Sequence, residues 1–133
     1  MLTQTIIARE APAVQPPAGD PQALARLRHW GGEALLQRLG CVFLDEAKRR
    51  IAAARAGAAA GDAAEIRRAM HALRSSCGQL GAVSMQEVCE QIEAAAVAGE
   101  VPRARRLLGA LEREFERYRR WLDAETPTTE ASR

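Results

Sequence analysis

His71 is the residue whose surroundings invite chemistry. Ile66, Met70, Leu73, Cys77 and Leu80 recur at alternating four- and three-residue steps, so on a helix they form one narrow apolar stripe turned to a core. At about 100° per residue, His71 projects roughly 140° away from Ile66. It shares that outer face with Arg67, Arg74, Ser75 and Gly78. The pattern describes a solvent-facing imidazole on a helix with a buried back. Basic residues stand one turn before and one turn after it, and a glycine follows two turns on. Such a surface is prepared for an anion.

From His71 to Gly81 the order is histidine, any residue, leucine, a basic residue, four small residues, a polar residue, an apolar one and glycine. This order resembles the phosphorylation helix of histidine-containing phosphotransfer domains, the modules that carry a phosphoryl group between receiver domains. The resemblance continues through Ala82, Cys89, Ile92 and Glu93 and covers roughly residues 20–122. Arg74 stands where the commonest family pattern has lysine, and Ser75 where it has glycine; one keeps the charge and the other the small size.

The resemblance implies a phosphorelay carrier. His71 would accept a phosphoryl group on Nε2 from the aspartate of one receiver domain and pass it to another. A neutral imidazole has a lone pair on one nitrogen, and histidine ordinarily titrates near pH 6.5, so an exposed ring is largely neutral and nucleophilic in a cell. Arg74, with Arg67 as a second candidate, would counter charge on the phosphoryl oxygens, since guanidinium groups match phosphate geometry; an ordinary solvated face is the other reading of both. By resemblance, Glu93 lies beside the histidine on the next helix. A carboxylate there would take a hydrogen bond from Nδ1–H and leave Nε2 free; alternatively Glu93 is a surface partner for Arg74. Ser75 and Gly78 keep the flank low enough for another domain to press against it. Gln79 lies roughly 80° around the helix from His71, which suits a helix cap or a partner contact.

The implied partners are response-regulator receiver domains and a hybrid sensor kinase. No cofactor is expected on the chain itself. Mg²⁺ would belong to the receiver, because no carboxylate cluster surrounds His71 in the sequence. The chain reads as a monomeric carrier and not an enzyme, working in the cytoplasm. The alternative is a phosphorylation-silent domain of the same shape, used only for docking.

Bulk properties set limits on both readings. A chain of 133 residues suits one domain and leaves no room for an ATP-binding kinase domain beside it. The formal charge of +2 is close to balance, and no basic run is interleaved with aromatics, so nucleic acid is not an expected partner. Three cysteines, Cys41, Cys77 and Cys89, fall inside helical patterns without close pairing, which argues against a disulfide framework or a metal site. No apolar run approaches the roughly 20 residues needed to span a bilayer. A sensor-kinase dimerisation helix would follow its histidine with an acidic residue and a proline, and a di-metal bundle would need Glu-x-x-His pairs; the sequence has neither.

The elements that must position His71 follow in chain order. Residues 1–19 end in a proline-rich run and read as a flexible leader or linker. Asp20 and Pro21 start a short helix to about His29, seated by Leu24, Leu27 and Trp30 and broken by Gly31 and Gly32. His29 has no ligand-type neighbours at useful spacing. A long amphipathic helix is predicted from Glu33 to about Arg55, with Leu36, Leu39, Phe43, Ala47, Ile51 and Ala54 inward. Asp62 caps the His71 helix and Gly81 closes it. Ser84 and Glu87 are spaced as a capping box for the next helix, which carries Met85, Val88, Cys89, Ile92 and Ala96 inward and stops at Gly99. Pro102 opens the last helix, on which Ala104, Leu108, Leu111, Phe115, Tyr118 and Leu122 keep a three-four repeat. The sum is an all-α protein. It is predicted to be an antiparallel up-down four-helix bundle with a short additional N-terminal helix over 20–125 and a frayed tail over 126–133.

Overall fold

A computed structural model describes residues 16–127 of the chain. Four helices follow one another: α1 (Pro21–Ala60), α2 (Ala63–Leu80), α3 (Val83–Val97) and α4 (Val101–Glu125). Each packs on its neighbour in the chain, and α1 closes the bundle against α4. The described residues contain no strand.

Element α1 is two helices in one. Gly32 sits at φ 72° and ψ −170°, a backbone state that suits glycine, and it separates a short N-terminal arm from the long helix. Arg28 bridges the break, donating to Glu33 at 2.8 Å and to the Glu125 carbonyl at 2.7 Å, so the arm is tied to the end of α4. Leu24 and Leu27 seat the arm as the sequence predicts, whereas Trp30 is 72 % exposed. The break at Gly32 leaves Trp30 at the rim of an open groove and not over the core.

The long helix also runs past Arg55 to Ala60. Alanine is the strongest helix former, and Gly57 is buried within the helix, where a Cβ would sit 3.2 Å from the Asp62 carbonyl and the Glu65 side chain. Arg105 of α4 donates to the Ala58 carbonyl at 2.7 Å, a second donor on an acceptor that the capping Gly61 N–H also reaches at 3.2 Å.

The cap at Asp62 forms as predicted, its carboxylate accepting from the Glu65 N–H at 3.1 Å. The predicted capping box does not form. The N-cap of α3 is Ala82, without a side-chain cap, and Ser84 lies inside the helix and buried. Its hydroxyl instead donates to the Pro16 carbonyl at 3.0 Å, with the Pro17 carbonyl at 3.2 Å, and accepts from Arg117 at 3.0 Å. Arg117 also donates to the Pro16 carbonyl at 2.9 Å. Of the leader expected over 1–19, residues 1–15 lie outside the described residues, while Ala18 and Gly19 are buried, the latter against Trp121. Of the tail, residues 128–133 lie outside the described residues.

Gly81 is a tight joint between α2 and the N-terminal arm. It closes α2 at φ 69°, and its carbonyl accepts from the Asp20 N–H at 2.9 Å. A Cβ there would lie 2.7 Å from the Ala23 Cβ and 3.0 Å from the Asp20 carbonyl. The left-handed conformation costs a side-chain-bearing residue roughly 1–2 kcal/mol, and overpacking adds about 1–3 kcal/mol. Gly81→Ala is therefore expected to destabilise the fold by about 2–5 kcal/mol, read as a fall in the urea midpoint; an unchanged midpoint would contradict strain at this joint.

Tyr118 fills the centre of the core, edge-on to Phe43 with ring centroids 5.4 Å apart. Its hydroxyl donates to the Leu80 carbonyl at 2.7 Å and so serves the last turn of α2. Tyr118→Phe leaves that buried acceptor unpaired, at an expected cost of about 1–3 kcal/mol. Burial pushes the phenol above its ordinary value. Stability from the neutral phenol is present below the unfolded value of about 10 and is lost as pH rises beyond it, because the unfolded chain then sheds a proton that the folded chain retains. Urea denaturation at alkaline pH should show this extra loss in the wild type and not in the Phe variant.

Candidate functional site

Helix α2 carries His71 midway along its length. Ile66, Met70, Leu73 and Cys77 are fully buried behind it, and Leu80 is nearly so. This apolar back holds the helix on the bundle and turns the imidazole outward, where its side chain is 57 % exposed. Cys77 stands among these core residues, and hydrogen bonding to Cys89 together with burial pushes its thiol up, away from the reactive thiolate.

Helix α3 brings up the other half of the site. Cys89, Ile92 and Ala96 anchor its inner face, and Glu93 stands at the seam with α2, only 17 % exposed. Glu93 Oε2 is 3.0 Å from His71 Nδ1. Arg74, one turn after His71, places Nη2 3.2 Å from the same Nδ1 and Nε 3.5 Å from Glu93 Oε1. His71, Arg74 and Glu93 are thus one cluster. An ionised carboxylate can only accept, so Nδ1 bonds Glu93 when it bears a hydrogen, and in that tautomer the lone pair is on Nε2.

The remaining candidates fall into two groups. Arg67 is exposed one turn before His71 and is not among the groups bonded to the ring. Ser75, Gly78 and Gln79 are exposed and together line one wall of a groove of about 640 Å³ between α2 and the N-terminal arm. Its far wall includes Arg26, Trp30 and Leu39. The Ser75 hydroxyl points back to the His71 carbonyl at 3.4 Å. Gly78 faces Gln86 of α3, whose Nε2 would lie 3.6 Å from an added Cβ. Sequence reasoning missed the groove. An apolar indole beside a Gly-Gly break is the available signal, and in the sequence it reads as a seat for the short helix.

No group of three or more His, Cys, Asp or Glu side chains that could hold a metal ion occurs among the described residues. Nor is any described helix long and apolar enough to cross a membrane.

The family model described as the Hpt domain matches residues 39–121. The chain belongs to the Hpt domain family. Its match begins in the long arm of α1 and takes in α2, α3 and most of α4, so the whole of the His71, Arg74 and Glu93 cluster lies within it. Among solved structures the chain is similar to the histidine-containing phosphotransfer protein B of Pseudomonas aeruginosa PAO1, with 29 % identity and a TM-score of 0.77. The likeness covers 88 % of this chain and 96 % of that one. Comparison with curated proteins returns no match. Histidine phosphotransfer within a two-component phosphorelay is the function this Hpt domain shares with its family.

Proposed function

We propose that His71 is the residue that carries the phosphoryl group. The observation that supports this most is the 3.0 Å contact from Glu93 Oε2 to Nδ1, which leaves Nε2 as the nucleophilic nitrogen of an exposed ring. In the transfer, the Nε2 lone pair forms a bond to phosphorus while the bond to the aspartyl oxygen of a receiver domain breaks, and that carboxylate keeps the electron pair. Transfer to a second receiver reverses the sequence. Arg74 stands close enough to meet the charge of the incoming phosphoryl oxygens, and Arg67 supplies a second positive charge on the approach.

Ser75, Gly78 and Gln79 form the surface on which a receiver domain rests. Receiver domains, including those of hybrid sensor kinases, are the partners of this reading. Mg²⁺ would be held by the receiver's carboxylates; the Glu93 carboxylate is already engaged by His71 and Arg74. The chain acts as a monomeric carrier and not as a catalyst, and its three free cysteines suit the cytoplasm.

The test is a mixture of the purified chain with phosphorylated receiver domains. An acid-labile, alkali-stable label that depends on His71 is the expected result. Absence of label with several receivers, alongside tight binding to one of them, would replace the carrier reading with a docking one.

A further inference from the structure

Two groups of opposite character reach the same atom of the ring. His71 Nδ1 lies 3.0 Å from Glu93 Oε2 and 3.2 Å from Arg74 Nη2. A carboxylate only accepts hydrogen bonds and a guanidinium only donates them. Nδ1 can therefore satisfy one of them at a time: bearing a hydrogen it bonds Glu93, and lacking one it bonds Arg74. Neither partner has to travel, because Arg74 is already held against Glu93 at 3.5 Å.

The two states have different chemical consequences once Nε2 carries the phosphoryl group. Immediately after transfer the ring is a cation with hydrogen on Nδ1. When the N–P bond then breaks, the electron pair returns to Nε2 and the ring departs as neutral imidazole. If Nδ1 has first released its proton to solvent, the same bond cleavage would have to expel an imidazolate, a far poorer leaving group. The charge on the phosphorylated ring's Nδ1 thus decides whether the phosphoryl group is ready to leave or is stored.

We propose that Arg74 and Glu93 set the lifetime of the phosphohistidine by competing for Nδ1, Glu93 holding the hydrogen that readies the group for transfer and Arg74 bonding the bare nitrogen that stores it. The proposal rests on His71 as the phosphoryl acceptor. It makes both side chains positioning residues for the outgoing step as well as the incoming one. Among other charged groups, Arg67 and Arg68 stand one turn before His71 on α2, Arg68 paired with Glu65, and Glu90 stands one turn before Glu93 on α3. From α1 comes Glu46, which is occupied with the Ser76 hydroxyl at 2.9 Å. Helix α4 packs on α1 and α3.

The experiment loads the chain with phosphoramidate, a small donor whose own P–N bond breaks with loss of ammonia, so no receiver is required. Decay of the phosphohistidine is followed by phosphorus NMR across a range of pH for the wild type, Arg74→Gln, Arg74→Lys and Glu93→Gln. Arg74→Gln is expected to shorten the lifetime near neutral pH by roughly three- to tenfold, the effect of one charge near an exposed group. It should also move the pH at which the lifetime lengthens upward. Glu93→Gln should move both in the opposite direction, and Arg74→Lys should restore part of the lifetime. Wild-type lifetimes in both Gln variants, or shifts of the same sign, would overturn the proposal even if receivers still exchange phosphoryl groups with the chain. Conversely, opposite shifts would sustain it even if no receiver tried proves to be a partner. Failure of His71 to take phosphoryl from phosphoramidate would remove the acceptor assignment and this inference together.

Discussion

Replacing His71 by glutamine is expected to abolish phosphoryl acceptance while leaving the fold intact. Glutamine keeps the length and polarity of the side chain, is a good helix former, and can still donate an N–H to Glu93. What it lacks is the ring nitrogen whose lone pair attacks phosphorus. Because the His71 side chain is more than half exposed and its helix is held by the apolar stripe behind it, the change in stability should stay within about 0.5 kcal/mol. Circular dichroism and a urea titration check the fold, and the label from a phosphorylated receiver checks the chemistry. The chain has one other histidine, His29, exposed on the N-terminal arm. His29→Gln should leave labelling unchanged, so the pair of variants separates site from background. Labelling retained in His71→Gln and lost in His29→Gln would move the acceptor to the arm.

Gly78→Arg is expected to separate stability from function in a second way. Glycine in a helix interior costs about 1 kcal/mol relative to alanine, and the fold gives no reason for it here. The nearest atom to an added Cβ would be Gln86 Nε2 at 3.6 Å, an ordinary contact. A larger residue should therefore raise stability by roughly 0.5–1 kcal/mol. Transfer should fall by about a hundredfold, because an arginine on this wall holds a receiver off the line of attack on Nε2, where misplacement by an ångström is already costly. Gly78→Ala should show the gain in stability with a smaller loss of transfer. Normal rates from both Gly78→Arg and Ser75→Arg would remove this wall from the docking surface.

The parts legible in the sequence were those fixed by local rules. The stripe from Ile66 to Leu80, the Asp62 cap and the stop at Gly81 each depend on residues within one helix and its ends, and each formed as read. The four-helix bundle followed because every helix carries one apolar face and is joined by a short loop. Glu93 was placed beside His71 through a family resemblance; no periodicity in the chain relates residue 71 to residue 93, and only the pairing of α2 with α3 does. What escaped was set by contacts distant in sequence. Ser84 has the spacing of a cap with Glu87, but the Pro16 carbonyl and Arg117 compete for its hydroxyl, and neither is visible from the local pattern. The apolar character of Trp30 suggests a seat for the short helix beside Leu24 and Leu27, yet the break at Gly32 turns it to the rim of a groove. Helix α1 continues through its run of alanines to Ala60, where the left-handed cap at Gly61 closes it locally and Arg105 of α4 adds a distant donor to the Ala58 carbonyl.

The seat of Pro16 bears on the order in which the molecule assembles. Its carbonyl is bound by side chains from Ser84 and from Arg117, so the loop it closes runs through α1, α2 and α3 to the middle of α4. Loop closure grows costlier with length, and neither partner is in place until α3 and α4 have docked. This contact is accordingly expected to form late when the chain folds and to open early when it breathes. In hydrogen exchange, fraying should begin at the N-terminal seat, while the amides of α2 behind His71 stay closed until the whole bundle unfolds.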